Sequence, residues 1–358
     1  GLVLETNKIE VISQADISYD SPKPLCHSEY IIYYPESHET LWDIAKNSDS
    51  DEQLLAQLHP WGESPCLRFD NGLAIFIALV AGLLLLPLLL QPTAIWAQLL
   101  ALGAAALLFL SYLLYAPKRP INEAIEALEH SIIQKRYALN YHSLPSALGR
   151  PLSTSLLMSQ LKQQFPIFSR GSVSNDIPFF ASSVWQEADG KTHQVLIFQY
   201  HYVNELRLPS KDGQTQSKEI HQDLWGVFIF DLDHDLPTFA VSTEHKKLAY
   251  PYHLEWQSSD IQLRQRVYMA GENPLEMAKK ITPSFTLKLG EFFAQRRGEV
   301  YINANQNMLC YLGRDDLMQI QQQRHKKIDD ISALRGHLRT FRLPKLERLK
   351  QQLLVLLA

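Results

Sequence analysis

The chain has 358 residues, 46% of them hydrophobic, and a formal net charge of −4. That length allows two or three domains, and the charge balance excludes the broad basic field expected of a nucleic-acid binder. Three cysteines, Cys26, Cys66 and Cys310, make neither a disulfide framework nor a paired zinc spacing.

Residues 1–70 form a small acidic region. "EYIIYY" (29–34) reads as a strand, rich in Ile and Tyr. "ETLWDIAKN" (39–47) reads as a short helix with Leu41, Ile44 and Ala45 on one face. A second helix covers 48–60, with Ser48 or Asp49 placed to cap it and Pro60 after its end. This strand–helix–helix run resembles a LysM module. Thr40, Leu41, Trp42, Ile44 and Ala45 match that family's first helix, and Leu54, Leu55, Leu58 and Pro60 its second. Its Gly-Asp pair is replaced here by His38-Glu39, and its Asn by His59. The resemblance implies a small α/β module; the altered loop positions weaken the glycan binding it would otherwise imply.

Residues 73–90 and 94–115 carry no charge. A helix crossing ~30 Å of hydrocarbon needs roughly 20 apolar residues, so residues 73–115 predict a two-helix transmembrane hairpin with its turn at 91–93. Trp96, Tyr112 and Tyr115 stand near the span ends, where amphipathic rings prefer the interface. Lys118, Arg119, Lys135 and Arg136 follow the second span, Arg68 precedes the first, and the turn has no cation. The positive-inside bias then predicts a multi-pass protein of the bacterial inner membrane with both termini cytoplasmic and the lipid bilayer as a partner.

Residues 118–165 predict a helical juxtamembrane stalk, with Ile121, Ile125, Leu128, Ile132 and Ile133 on one stripe. Residues 166–313 predict a soluble α+β domain with a mainly antiparallel sheet. Its strands are placed at 193–203, 224–232, 238–243, 264–270, 298–304 and 308–313, the last two a hairpin over Asn305-Gln306-Asn307. Residues 210–219 read as a polar loop. One helix is well marked: Thr282 as cap, Pro283 at the first position, an apolar face of Phe285, Leu289, Phe292 and Phe293, and Gly298 as its stop.

"FPIFSRGSVSNDIPFF" (165–180), "WGVFIFDLDHDLPTFAVST" (225–243) and the stretch from Ala270 to Gly313 resemble an uncharacterised bacterial membrane-protein family with a transmembrane hairpin followed by one domain of unknown function. Members are often encoded beside LemA-type proteins. The resemblance implies a LemA-type membrane partner and no catalytic residues. Residues 315–358 are a basic tail. Ile331, Leu334, Leu338 and Phe341, then Leu346, Leu349, Leu353 and Leu356, repeat at helical spacing. Arg335, Arg339, Arg342, Lys345 and Arg348 are the candidate contacts to an anionic lipid face, a partner or a second copy in a homo-oligomer.

Asp231, Asp233 and His234 in "DLDHD" are a weak metal candidate, since strand-end turns are often written in the same residues. His193 and His201 share one strand face by parity. No phosphate loop, dinucleotide glycine pattern or metalloprotease helix occurs, so no cofactor and no reaction is assigned. The fold class expected is thus an α+β membrane protein: hairpin, small LysM-like domain, antiparallel soluble domain and helical basic tail. The function expected is a scaffold or regulatory interaction protein, with wall-glycan binding or a membrane-tethered enzyme as alternatives.

Overall fold

The computed structural model describes residues 36–58, 71–90, 95–115, 119–148, 154–209, 215–232, 235–244, 254–321 and 330–358, with the single positions 67 and 328. The expected strand at 29–34 lies outside the described residues. The chain divides into two compact units. One includes residues 60–116, and the other joins 35–59 to 117–358.

In the first unit, α3 (Gly72–Leu90) and α4 (Ile95–Leu114) pair as a hairpin. Small residues make the seam: Ala74, Ala81 and Ala104 are buried, and the Ser111 hydroxyl donates to the Ala74 carbonyl at 2.7 Å. The leucines point outward. Among the described residues no helix is long and apolar enough to cross a membrane. The two helices have 19 and 20 residues. Pro87 stands inside α3, and α4 carries Gln98 and Ser111. The expected transmembrane hairpin is therefore corrected. With it fall the membrane fold class and the multi-pass inner-membrane placement with cytoplasmic termini.

The second unit is built on a nine-stranded sheet, every described pairing antiparallel. Its strands are β1 (Asn140–Tyr141), β2 (Ser174–Gln186), β3 (Thr192–Pro209), β4 (Thr215–Ile229), β5 (Phe239–Ser242), β6 (Leu254–Glu255), β7 (Tyr268–Gly271), β8 (Glu299–Asn303) and β9 (Met308–Gly313). They lie in the order β1-β2-β3-β4-β9-β8-β5-β7-β6. The residues expected to form a loop at 215–219 instead extend β4, which pairs with β3 down to Pro209–Thr215. Ile177 and Pro178 fall where the β2–β3 register shifts, the place a strand tolerates a residue with no N–H to donate.

One sheet face is covered by α6 (Thr154–Gln164) and the 3-10 turn Pro166–Ser169. Phe165, Phe168, Phe198, Tyr200 and Phe228 stack there with Met308, Cys310 and Leu312. Phe168 lies 5.1 Å from Tyr200 and 5.3 Å from Phe198 between ring centres. Gly226 makes room for this cluster: a Cβ on it would stand 2.2 Å from the Phe198 ring. The opposite face meets α9 (Pro283–Gln295) and α11 (Pro344–Leu357), with Phe292 against Tyr311 and the Lys350 ammonium 5.9 Å above Trp185. Thr282 caps α9, accepting from the Phe285 amide at 3.2 Å. The helix stops at Gln295, and Gly298 serves the turn into β8.

Short helices replace two sequence expectations. Residues 261–266 form α7, capped by Asp260, so only the second half of the expected strand 264–270 is extended. Residues 274–280 form α8 behind the Asn273 cap and Pro274. In the tail, α10 (Ile331–Thr340) and α11 bury Leu334, Leu338, Leu346, Leu349, Leu353 and Leu356 within the unit.

Candidate functional site

The two helices expected at 39–47 and 48–60 are α1 (Glu36–Asn47) and α2 (Asp51–Gln57). Ser50 caps α2, accepting from the Gln53 amide at 3.1 Å, while the Gln53 side chain accepts from the Asp49 amide at 2.7 Å. The cap expected at Ser48 or Asp49 is thus one or two residues later. Leu41, Ile44, Leu54 and Leu58 are buried. They close against α5 (Arg119–Arg136), which also packs on α10. Thr40 and Trp42 are exposed, Trp42 at 45%.

Polar groups fasten this cluster at its helix ends. The Ala45 carbonyl, in the last turn of α1, accepts from the Ser131 hydroxyl at 2.7 Å and from the Lys135 ammonium at 2.9 Å. Lys135 also donates to the Ser131 oxygen. Burial pushes the Lys135 pKa down, and the Asp49 carboxylate partly restores it. A cation at a helix C-terminus satisfies an orphan carbonyl and faces the negative end of the dipole. The serine here donates to a carbonyl and accepts from an ammonium, the reverse of an activated nucleophile, so the pair is a cap rather than a dyad poised for attack. Arg136 pairs with Asp51 at 3.0 Å and donates to the Phe341 carbonyl at 2.6 Å. Beside these groups lies a groove of about 720 Å³, lined by Trp42, Lys46, Asp49, His130, Gln134 and Asn140 among others. An aromatic face with amide and charged neighbours suits a polar, hydroxyl-rich ligand.

The tail arginines divide. Arg335 donates to the Leu55 carbonyl at 2.9 Å and so completes the end of α2. Arg339, Arg342 and Arg348 are exposed and Lys345 is half-buried. The apolar stripe that would have faced lipid or a partner is used inside the fold.

Asp231 is exposed with a positive φ of 58°, a turn conformation that Asp adopts readily. Asp233 and His234 lie outside the described residues. Among the described residues no group of three or more His, Cys, Asp or Glu is arranged to hold a metal. His193 and His201 do not meet. His193 is fully buried between Glu187 and the Phe230 carbonyl, while His201 bonds Asp223 at 2.8 Å near His221. Eight strand residues, about 26 Å at ~3.3 Å each, separate them.

Sequence reasoning missed the polar fastening of α1 and α2 to α5, because Ser131 and Lys135 lie more than eighty residues from Ala45. The i, i+4 spacing of Ser131 and Lys135 on a helix was the one available signal. No family model matches the chain, and no curated protein or solved structure matches it either.

Proposed function

We propose that the protein is a scaffold or regulatory interaction protein that works through the outward face of the α3–α4 hairpin, and that this face pairs with a second copy of the chain. The observation that carries the reading is the exposed apolar surface. Leu79 is 64% and Leu102 74% exposed, in company with Phe76, Leu83, Leu99 and Phe109. A monomer rarely exposes a contiguous apolar patch beyond ~300–600 Å², and larger ones mark contact sites. With no charge on either helix, two copies meet without repulsion or buried ions. The family resemblance suggests a LemA-type helical protein as another occupant.

The test is the solution mass of the full-length protein by light scattering over a concentration series. A mass above the 41.0 kDa monomer, reduced to the monomer by Leu79→Glu with Leu102→Glu, is expected. A monomer at every concentration would overturn the reading. So would quantitative transfer into lipid vesicles, since lipid rather than protein would then cover the face.

A second reading is wall-glycan binding, favoured by Trp42 at the lip of the α1–α5 groove. Peptidoglycan pull-down by the full chain, abolished by Trp42→Ala, would support it. Absence of binding removes it.

A further inference from the structure

A second cleft, of about 380 Å³, opens where β8 begins and β9 ends, beside Leu224 of β4 and the last turn of α9. Four arginines, Arg170, Arg296, Arg297 and Arg314, line it against three carboxylates, Glu244, Glu299 and Asp315. They come from parts of the chain up to 144 positions apart, gathered by the sheet.

The arginines are not equivalent. Arg170 and Glu299 pair at 2.6 Å, both largely buried, and the Arg170 carbonyl is held by Asn175 at 2.6 Å and Tyr200 at 3.0 Å. Arg296, 5% exposed, bonds Gln352 at 2.8 Å and Asp315 at 3.3 Å and lies 5.7 Å from the Tyr311 ring centre. These two form the wall. Arg314 meets Glu244 at 2.9 Å, but both are more than half exposed, so water and salt weaken the pair. The Arg297 side chain forms no ion pair among the described residues and is exposed. Gly298, at φ +146°, fixes the turn that presents it, since a Cβ there would lie 2.3 Å from the Leu312 carbonyl oxygen. Thr243 clasps the same glycine at both its amide and its carbonyl.

We propose that this cleft binds the phosphoryl group of a small molecule, with Arg297 and Arg314 as its ligands. Two guanidinium forks with spare donors match a dianion presenting three acceptor oxygens, where a single carboxylate would occupy only one. Arg314 exchanges the half-exposed Glu244 for the ligand; Glu244 stays at the cleft as a screened opposing charge, against which the four lining arginines outnumber the three carboxylates. A cleft of about 380 Å³ suits a small ligand rather than a polymer backbone.

Isothermal titration of the full-length protein with pyrophosphate at fixed ionic strength tests this, with inorganic phosphate and citrate as parallel probes. Saturable pyrophosphate binding, stronger than citrate and weakened at least ~10-fold by Arg297→Glu with Arg314→Glu, is expected, that factor being about 1.4 kcal/mol. Arg297→Gln alone, which adds no new charge, should weaken it in the same direction. Lys279→Glu, an exposed charge reversal outside the cleft lining, should leave it unchanged. No saturable binding, equal weakening by Lys279→Glu, or citrate binding as tightly as pyrophosphate would each overturn the proposal. Melting of each variant separates loss of fold from loss of binding.

Discussion

The α3–α4 hairpin and the α10–α11 pair are both leucine-rich, yet they turn their leucines in opposite directions. In the hairpin the seam is alanine and serine, and the leucines face out. In the tail the leucines face in, and Arg339, Arg342 and Arg348 face water. The contrast follows from pattern rather than content. A helix apolar all round has no preferred buried side and lets small residues choose the contact, whereas a stripe beside charges has only one way to pack.

That comparison breaks most sharply by deleting equal side chains in both regions. Leu353→Ala, fully buried in α11, should cost about 2–5 kcal/mol of unfolding free energy, and Leu79→Ala in α3 well under 1. Urea melts of both variants, at concentrations where light scattering shows the monomer, check it; equal losses there would mean that the hairpin face is covered in the folded monomer. Arg335→Ala should come next, at about 1–2 kcal/mol, because the Leu55 carbonyl loses its donor. Thr282→Ala should remove about 1 kcal/mol by uncapping α9, seen as a shifted melt with unchanged slope.

The smallest effect is one of pH. Burial raises the Glu299 carboxyl above its ordinary range, while Arg170 pulls it partly back. An acid raised in the folded state contributes stability that is fully present below its unfolded pKa and is lost as pH rises through the folded one. Wild-type stability should therefore decline, relative to Glu299→Gln, on going from acid toward neutral pH. A flat difference between the two would sink this assignment.

Much of the second unit was legible in the residues. The stripes of the tail, the Thr282-Pro283 start of α9 and the 298–313 hairpin each carry a local signal that packing then reinforced. β2 was not legible, because Ser174, Asn175, Asp176 and Pro178 read as a loop and only its pairing with β3 makes it a strand. α7 was hidden because "RQRVYMA" alternates like a strand, and the Asp260 cap that decides the matter lies before it. The hairpin was read by apolar content, which passed over Pro87 inside α3 and Gln98 and Ser111 in α4. The arginine cleft had no sequence signature, since Arg170, Arg297 and Arg314 meet only through the sheet order.

The joining of residues 35–59 to 117–358 in one unit has a consequence for synthesis. The whole 60–116 stretch is an insertion between two parts of a single fold. α1 and α2 leave the ribosome well before the α5 surface that buries Leu41, Leu54 and Leu58, which follows only after residue 119, and the Leu55 carbonyl waits for Arg335. Contacts so distant in the chain form late. These two helices, made early, are thus among the last to settle, and until then their apolar faces are open to whatever holds unfinished proteins.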